Sequence, residues 1–270
     1  MTRKPSDVCL LCESRPAIKK NSHIIPSFLT TGMLKRAQKP HFDVIRPRES
    51  AQNRHRREQK TPTEDYILCA ECEKRFEFLE TYIAGKFFHR YKNPSCDSEF
   101  MRSIELDISS GVMLRSNLVD LQVMKLFVYS ILWRVTIATK DYANFDLPVD
   151  IKEGLRQQLN LWIAYTSVDL VSQAQSLTTQ GFNIPYDIHV CPQYPSPNTN
   201  WIGARDFIPG KSTIAFIAAN EFHFYFYIEK ESGGRTVQRN SDAKVTLVTL
   251  IPDYEWHRVL NVIKSALLGH

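Results

Sequence analysis

Four cysteines and one histidine in the first third of the chain carry the chemistry that spacing alone can reveal. Cys9 and Cys12 bracket two leucines, and Cys69 and Cys72 bracket Ala70 and Glu71 after an interval of 56 residues. Two thiolates two residues apart grip one metal ion from a tight turn. Two such pairs complete the tetrahedral four-sulfur shell that zinc takes. The bland alternative is two unrelated reduced pairs. A thioredoxin-type redox pair is disfavoured, because neither pair follows a βαβ pattern. Cys96 and Cys191 stand alone and read as buried thiols.

Between the pairs lies Asn21-Ser22-His23-Ile24-Ile25-Pro26. On its own, His23 before an apolar pair and a proline reads equally as a packed core histidine. The order matters more: a Cys-x-x-Cys knuckle, His23-Ile24-Ile25-Pro26, an irregular middle, then Leu68-Cys69-x-x-Cys72 where a helix should start. That order resembles the zinc-bearing HNH (ββα-metal, His-Me finger) endonuclease superfamily, of the treble-clef type. The resemblance covers residues 9–83. Many proteins of this layout are bacterial nucleases of mobile elements or anti-phage defence.

The resemblance implies that His23 is the general base for a water attacking a phosphodiester. It also implies a catalytic divalent ion such as Mg²⁺, which would stabilise charge on the phosphorane and the leaving oxygen. A structural zinc on Cys9, Cys12, Cys69 and Cys72 would hold the small module together. The chain departs from the family at three positions. Ser22 stands where a metal-binding Asp, Glu or His usually precedes the base. Glu64 and Asp65 stand near the usual Asn, and Glu73 follows the second cysteine pair in place of His or Asn. Glu73, Glu77 and Glu80 share one helical face. Glu73 reads as solvated, whereas Glu77 and Glu80 read either as solvated or as carboxylates serving the site beside His23.

The elements that must position these groups suggest an α+β fold: an N-terminal zinc module over residues 1–95, then an α+β domain over 96–270. Phe76, Leu79, Tyr82 and Ile83 recur at helical spacing, so a helix should begin within Cys69–Cys72. Asp65 to Leu68 could end a strand. Residues 98–180 look helical, with Leu118, Leu121, Met124, Phe127, Tyr129, Ile131, Leu132 and Val135 marking one buried helix. A second helix should start after an Asp150 N-cap and turn Leu155, Leu159, Trp162 and Ile163 inward. Pro185 to Asn200 holds four prolines and reads as a linker or long loop. Ser212 to Ala219, Phe222 to Glu229 and Lys244 to Ile251 read as antiparallel strands, with a turn at Gly233-Gly234. Pro252-Asp253 should open a closing helix carrying Trp256, Val259, Leu260, Ile263 and Leu267. His223 and His257 read as packing or surface histidines, and the aromatic strand Phe222 to Tyr227 as core more readily than as a contact surface.

Composition bounds the function. The 270 residues are 43% hydrophobic and 23% charged, which excludes a chain disordered throughout. The apolar stretch Leu118 to Ile137 contains Asp120, Lys125 and Arg134, so it suits a half-buried helix better than a membrane span. No signal peptide is expected after Met1, so a cytoplasmic location is expected. The formal net charge of +5 hides an asymmetry. Residues 1–60 carry 14 Lys+Arg against 5 Asp+Glu, a net of +9, and the remainder is at −4. Such a basic region suggests a polyanion partner, most simply DNA. Arg46, Arg48, Arg54, Arg56, Arg57 and Lys60 lie in a segment with almost no apolar residue, expected as an exposed loop. The solvated-loop reading needs no ligand there. Two functions remain: a metal-dependent HNH-like endonuclease acting on DNA, alone or with a protein partner, and a non-catalytic zinc-finger adaptor.

Overall fold

The computed structural model describes residues 3–30, 42–45, 55–58, 60–104, 112–139, 147–161, 167–176, 182–190, 201–207, 214–219, 222–228 and 246–250. Its architecture is α+β. Two short strands, β1 (Ser22–His23) and β4 (Thr63–Glu64), pair antiparallel, with His23 opposite Thr63 and Ser22 opposite Glu64. Helix α1 (Ala70–Ile83) follows directly. Cys69 caps it, its sulfur accepting the Cys72 N–H at 3.4 Å, and Cys72, Phe76, Leu79 and Ile83 form the buried face. The expected helix start and most of its inward face are therefore found. The strand ends earlier than expected. Residues 65–68 are bends because Tyr66 adopts φ 60°, and only Ile67 and Leu68 turn into the core.

Helix α2 (Leu121–Ile137) is capped by Asp120, whose Oδ1 accepts the Gln122 N–H at 2.8 Å. Residues Val123, Met124 and Leu126 through Val135 are buried, so this helix is enclosed on most of its circumference rather than amphipathic. Helix α3 (Val149–Leu161) buries Leu155 and Leu159. It begins two residues earlier than expected, so Asp150 lies in the first turn, where a carboxylate suits the helix dipole, rather than at the N-cap. Trp162 and Ile163 lie outside the described residues. Helix α4 (Ser167–Ser176) packs on α2.

The strands form one larger sheet in the order β3-β2-β8-β9-β10-β7-β11-β6-β5. These are β2 (Phe42–Ile45), β3 (His55–Glu58), β5 (Met101–Ile104), β6 (Val112–Ser116), β7 (Tyr186–Val190), β8 (Trp201–Phe207), β9 (Ile214–Ala219), β10 (Phe222–Tyr227) and β11 (Thr246–Leu250). The run β8-β9-β10-β7 is antiparallel, as expected of the C-terminal strands, but β11 meets β7 and β2 meets β8 in parallel.

Three sequence expectations are corrected. Met101–Ile104 and Val112–Ser116 are paired strands, not helix, because β6 completes the sheet against β11. Tyr186–Val190 is an internal strand rather than part of a linker; Tyr186, Asp187, Ile188 and Val190 are all buried, which the neighbouring prolines obscured. Trp201–Phe207 is a strand within residues 200–270, the region expected to hold strands and then a helix. His55–Glu58 is the outermost strand rather than loop, since an edge strand tolerates a charged sequence. The Gly233-Gly234 turn, the helix after Pro252, His257 and Cys191 lie outside the described residues. Cys96 is buried, as expected.

The apolar alternation of β10 buries Phe222, Phe224 and Phe226. Phe222 meets Phe88 edge-on at 4.8 Å, joining the sheet to the segment that follows α1. No described helix is long and apolar enough to cross a membrane.

Candidate functional site

The four expected cysteines come together. Their sulfurs all lie within 4.8 Å of one another, with Cys12 and Cys69 at 4.0 Å. All four are free thiols; Cys9, Cys69 and Cys72 are buried and Cys12 half-buried. The knuckle is built locally: the Cys9 N–H donates to the Arg15 carbonyl at 2.8 Å, and Glu13, at φ 51°, returns its N–H to the Cys9 carbonyl at 3.0 Å. The second pair sits at the α1 N-terminus, where unpaired N–H groups favour thiolate charge. A hydrogen bond from the Cys72 thiol pulls Cys9 down to about 4, against burial. The Arg75 Nη1 donates to the Cys72 sulfur at 3.3 Å, a second positive influence on the cluster. The set can hold one zinc ion. Among the described residues, no other group of three or more His, Cys, Asp or Glu converges so closely.

His23 opens on a separate cavity of about 500 Å³ along one side of α1. Its lining includes His23, Glu73, Glu77, Glu80, Arg134 and His89. The helical spacing of the three glutamates places them along this wall. Three buried polar atoms of the lining make no hydrogen bond, His23 Nδ1, Glu73 Oε2 and Glu80 Oε1, and of these only Glu80 Oε1 has an ion-pair partner. The solvated reading of Glu73 is therefore corrected: that carboxylate lines the cavity with one oxygen buried. Glu77 is exposed at its edge.

Glu80 is held differently. It forms an ion pair with Arg134, Nη1 to Oε1 at 2.7 Å. Burial raises its carboxyl above the usual range, and the Arg134 charge opposes that rise. Arg134 is itself buried on α2, donating from Nε to the Ser130 carbonyl at 3.1 Å and from Nη1 to the His23 carbonyl at 2.9 Å. Its guanidinium lies 4.9 Å from the centre of the Phe76 ring.

Ser22 does not line the cavity. Neighbouring strand side chains point to opposite faces, and its hydroxyl is fully buried without a hydrogen-bond partner. Glu64 and Asp65 serve the backbone frame. Glu64 accepts the Thr139 hydroxyl at 3.0 Å, and Asp65 accepts the Asn21 N–H at 2.8 Å, where Asn21 has φ 57°. Of the expected polyanion contacts, Arg56 and Arg57 lie on strand β3, Lys60 is exposed, and Arg46, Arg48 and Arg54 lie outside the described residues.

Sequence reasoning missed Arg134 and His89. Arg134 had a signal, a cation near the end of a largely apolar helix whose other cation, Lys125, lies in its first half. His89 had none, because its placement depends on a local change of helix type.

Fold and site together define an α+β protein with a four-cysteine cluster arranged as one that could hold a metal ion. No protein-family model, curated protein or solved structure matches the chain.

Proposed function

We propose that the chain is a metal-dependent endonuclease of the HNH type that hydrolyses phosphodiester bonds of DNA. The observation that carries this reading is the shared cavity: His23 and the acidic face of α1 line it, and His23 Nδ1 and Glu73 Oε2 are buried there without partners. Burying such atoms unpaired costs about 1–3 kcal/mol each, a cost that a site for a ligand accounts for.

In this reading His23 accepts a proton from the attacking water. The Arg134 bond to the His23 carbonyl holds the strand that carries the imidazole, and the Arg134–Glu80 pair ties that strand to α1. Glu80 therefore acts through Arg134 rather than on substrate. A divalent ion such as Mg²⁺, held by Glu73 and Glu77, would stabilise the negative charge that develops on the phosphorane. Zinc on the four cysteines is structural, clamping the knuckle to the start of α1. The basic excess of residues 1–60 supplies non-specific attraction for the DNA backbone. We extend the reading, on the same resemblance, to a cytoplasmic effector of bacterial anti-phage defence, alone or with a protein partner.

A non-catalytic zinc-finger adaptor is the second reading. Its support is that Ser22 supplies no ligand to the cavity, and that the cavity carboxylates do not converge as the thiols do. Divalent-ion-dependent nicking of plasmid, lost on His23→Ala, separates the two.

A further inference from the structure

The cavity face of α1 runs through Glu73, Glu77, Glu80, Thr81 and Ala84, at helical spacings of three and four. Continued in α-helical register, that face would next present residue 87 or 88. Those are Phe87 and Phe88, and both are buried in the core. Instead, Ala84–Phe88 forms a π-helical turn, closed by the His89 N–H on the Ala84 carbonyl at 2.9 Å. The slip of one residue keeps both phenylalanines inside and brings His89 to the cavity rim, where it is exposed. Such turns are rare and concentrate at functional sites.

The facing wall runs in the same direction. The His23 carbonyl meets Arg134 beside Glu80, while five residues later the Phe28 ring meets His89 edge-on at 6.2 Å and Phe88 at 5.3 Å. His23 and His89 thus mark successive stations along α1. The space at the far station is open: a Cβ built on Gly85 would meet nothing within 4 Å. At the α-helical rise of about 1.5 Å per residue, the wall from Glu73 to His89 is roughly 24 Å long. A nucleic-acid strand carries one phosphate per about 3.4 Å of duplex axis, so the trough faces more than the scissile phosphate.

We propose that His89 is a second substrate-binding residue, its ring N–H donating to a phosphate oxygen of the nucleotide that flanks the scissile bond. The proposal rests on the nuclease reading for the ligand's identity, not for the site's existence. The test uses zinc-loaded full-length protein with ¹³C-labelled histidine rings, titrated with thymidine 3′,5′-bisphosphate without added divalent ion. The His89 ring signals, identified by their loss in His89→Gln, should shift saturably. His89→Ala should weaken the dissociation constant about tenfold, and His89→Asn, which keeps a side-chain N–H, should recover most of that loss. In plasmid cleavage, His89→Ala should raise KM about tenfold and leave kcat within about twofold. Unchanged affinity in His89→Ala, shifts confined to His23, or no binding at all would overturn the proposal. Binding at His89 without cleavage under any divalent ion would support the site and sink the nuclease reading. Cleavage with an unchanged KM in His89→Ala would do the reverse.

Discussion

The Arg134 guanidinium donates from Nη1 to the His23 carbonyl at 2.9 Å across 111 residues of sequence. The same nitrogen lies 2.7 Å from Glu80 Oε1. Strand β1, helix α1 and helix α2 therefore meet at one cation. The candidate base is held from its backbone, and its Nδ1 is left without a partner.

Removing Arg134 should be costly. Arg134→Ala leaves the Glu80 carboxylate enclosed and unpaired, which typically costs about 3–5 kcal/mol. Arg134→Lys should cost less, keeping the charge but losing the fork. Urea denaturation of Arg134→Ala, Glu80→Gln and the double variant should give a double-variant loss well below the sum of the single losses. Additive losses would contradict the pairing.

Much of this arrangement was legible in the chain before the fold. Cys9, Cys12, Cys69 and Cys72 could be grouped because metal ligation needs only local turns, and each pair forms its own turn. The α1 face was legible because its period is local. The wider sheet was not, since β2 and β8, or β11 and β7, meet through pairings that no local pattern encodes. Glu73 was misread because one carboxylate at helical spacing looks the same whether it faces water or a cavity. Only the position of β1 decides.

The cysteine cluster should hold one zinc per chain. Elemental analysis should give about one equivalent for the wild type and almost none for a Cys9→Ser, Cys72→Ser double variant. Binding of structural zinc is worth on the order of 10 kcal/mol, so chelation should bring a large fall in Tm. Full metal content in the double variant would refute the assignment.

Helix α3 is anchored to the Cys9–Cys12 turn by Arg156, which donates to the Leu11 carbonyl at 3.0 Å and forks onto Glu153. The Arg156 hydrogen bonds hold the Glu153 carboxyl down at about 2, below its ordinary 4.5. A depressed carboxyl stabilises the fold fully above about pH 4.5 and loses that contribution as pH falls through about 2. The Glu153 side chain is 42% exposed, so solvent should screen the effect to less than about 1 kcal/mol. Acid titration of stability should therefore be slightly shallower over this window in Glu153→Gln than in the wild type. A steeper profile would contradict the sign.

Gly154, inside α3, has no room for a side chain. A Cβ there would lie 2.3 Å from Phe182 Cε2, and Phe182 packs edge-on against Tyr129 at 6.2 Å. Alanine improves helix propensity by about 1 kcal/mol, while overpacking costs about 1–3 kcal/mol. Gly154→Ala should therefore lower Tm on net, read by differential scanning calorimetry. A raised Tm would show that Phe182 yields easily.

The central claim is that His23 acts as a base in a divalent-metal nuclease. It is tested most directly by nicking of supercoiled plasmid with Mg²⁺, Mn²⁺ or Ni²⁺, comparing wild type with His23→Ala at equal zinc content. The expected result is cleavage that requires the added ion and falls by about a hundredfold or more in the variant. Equal cleavage by both proteins, or none by folded, zinc-loaded wild type with any of the three ions, would contradict it.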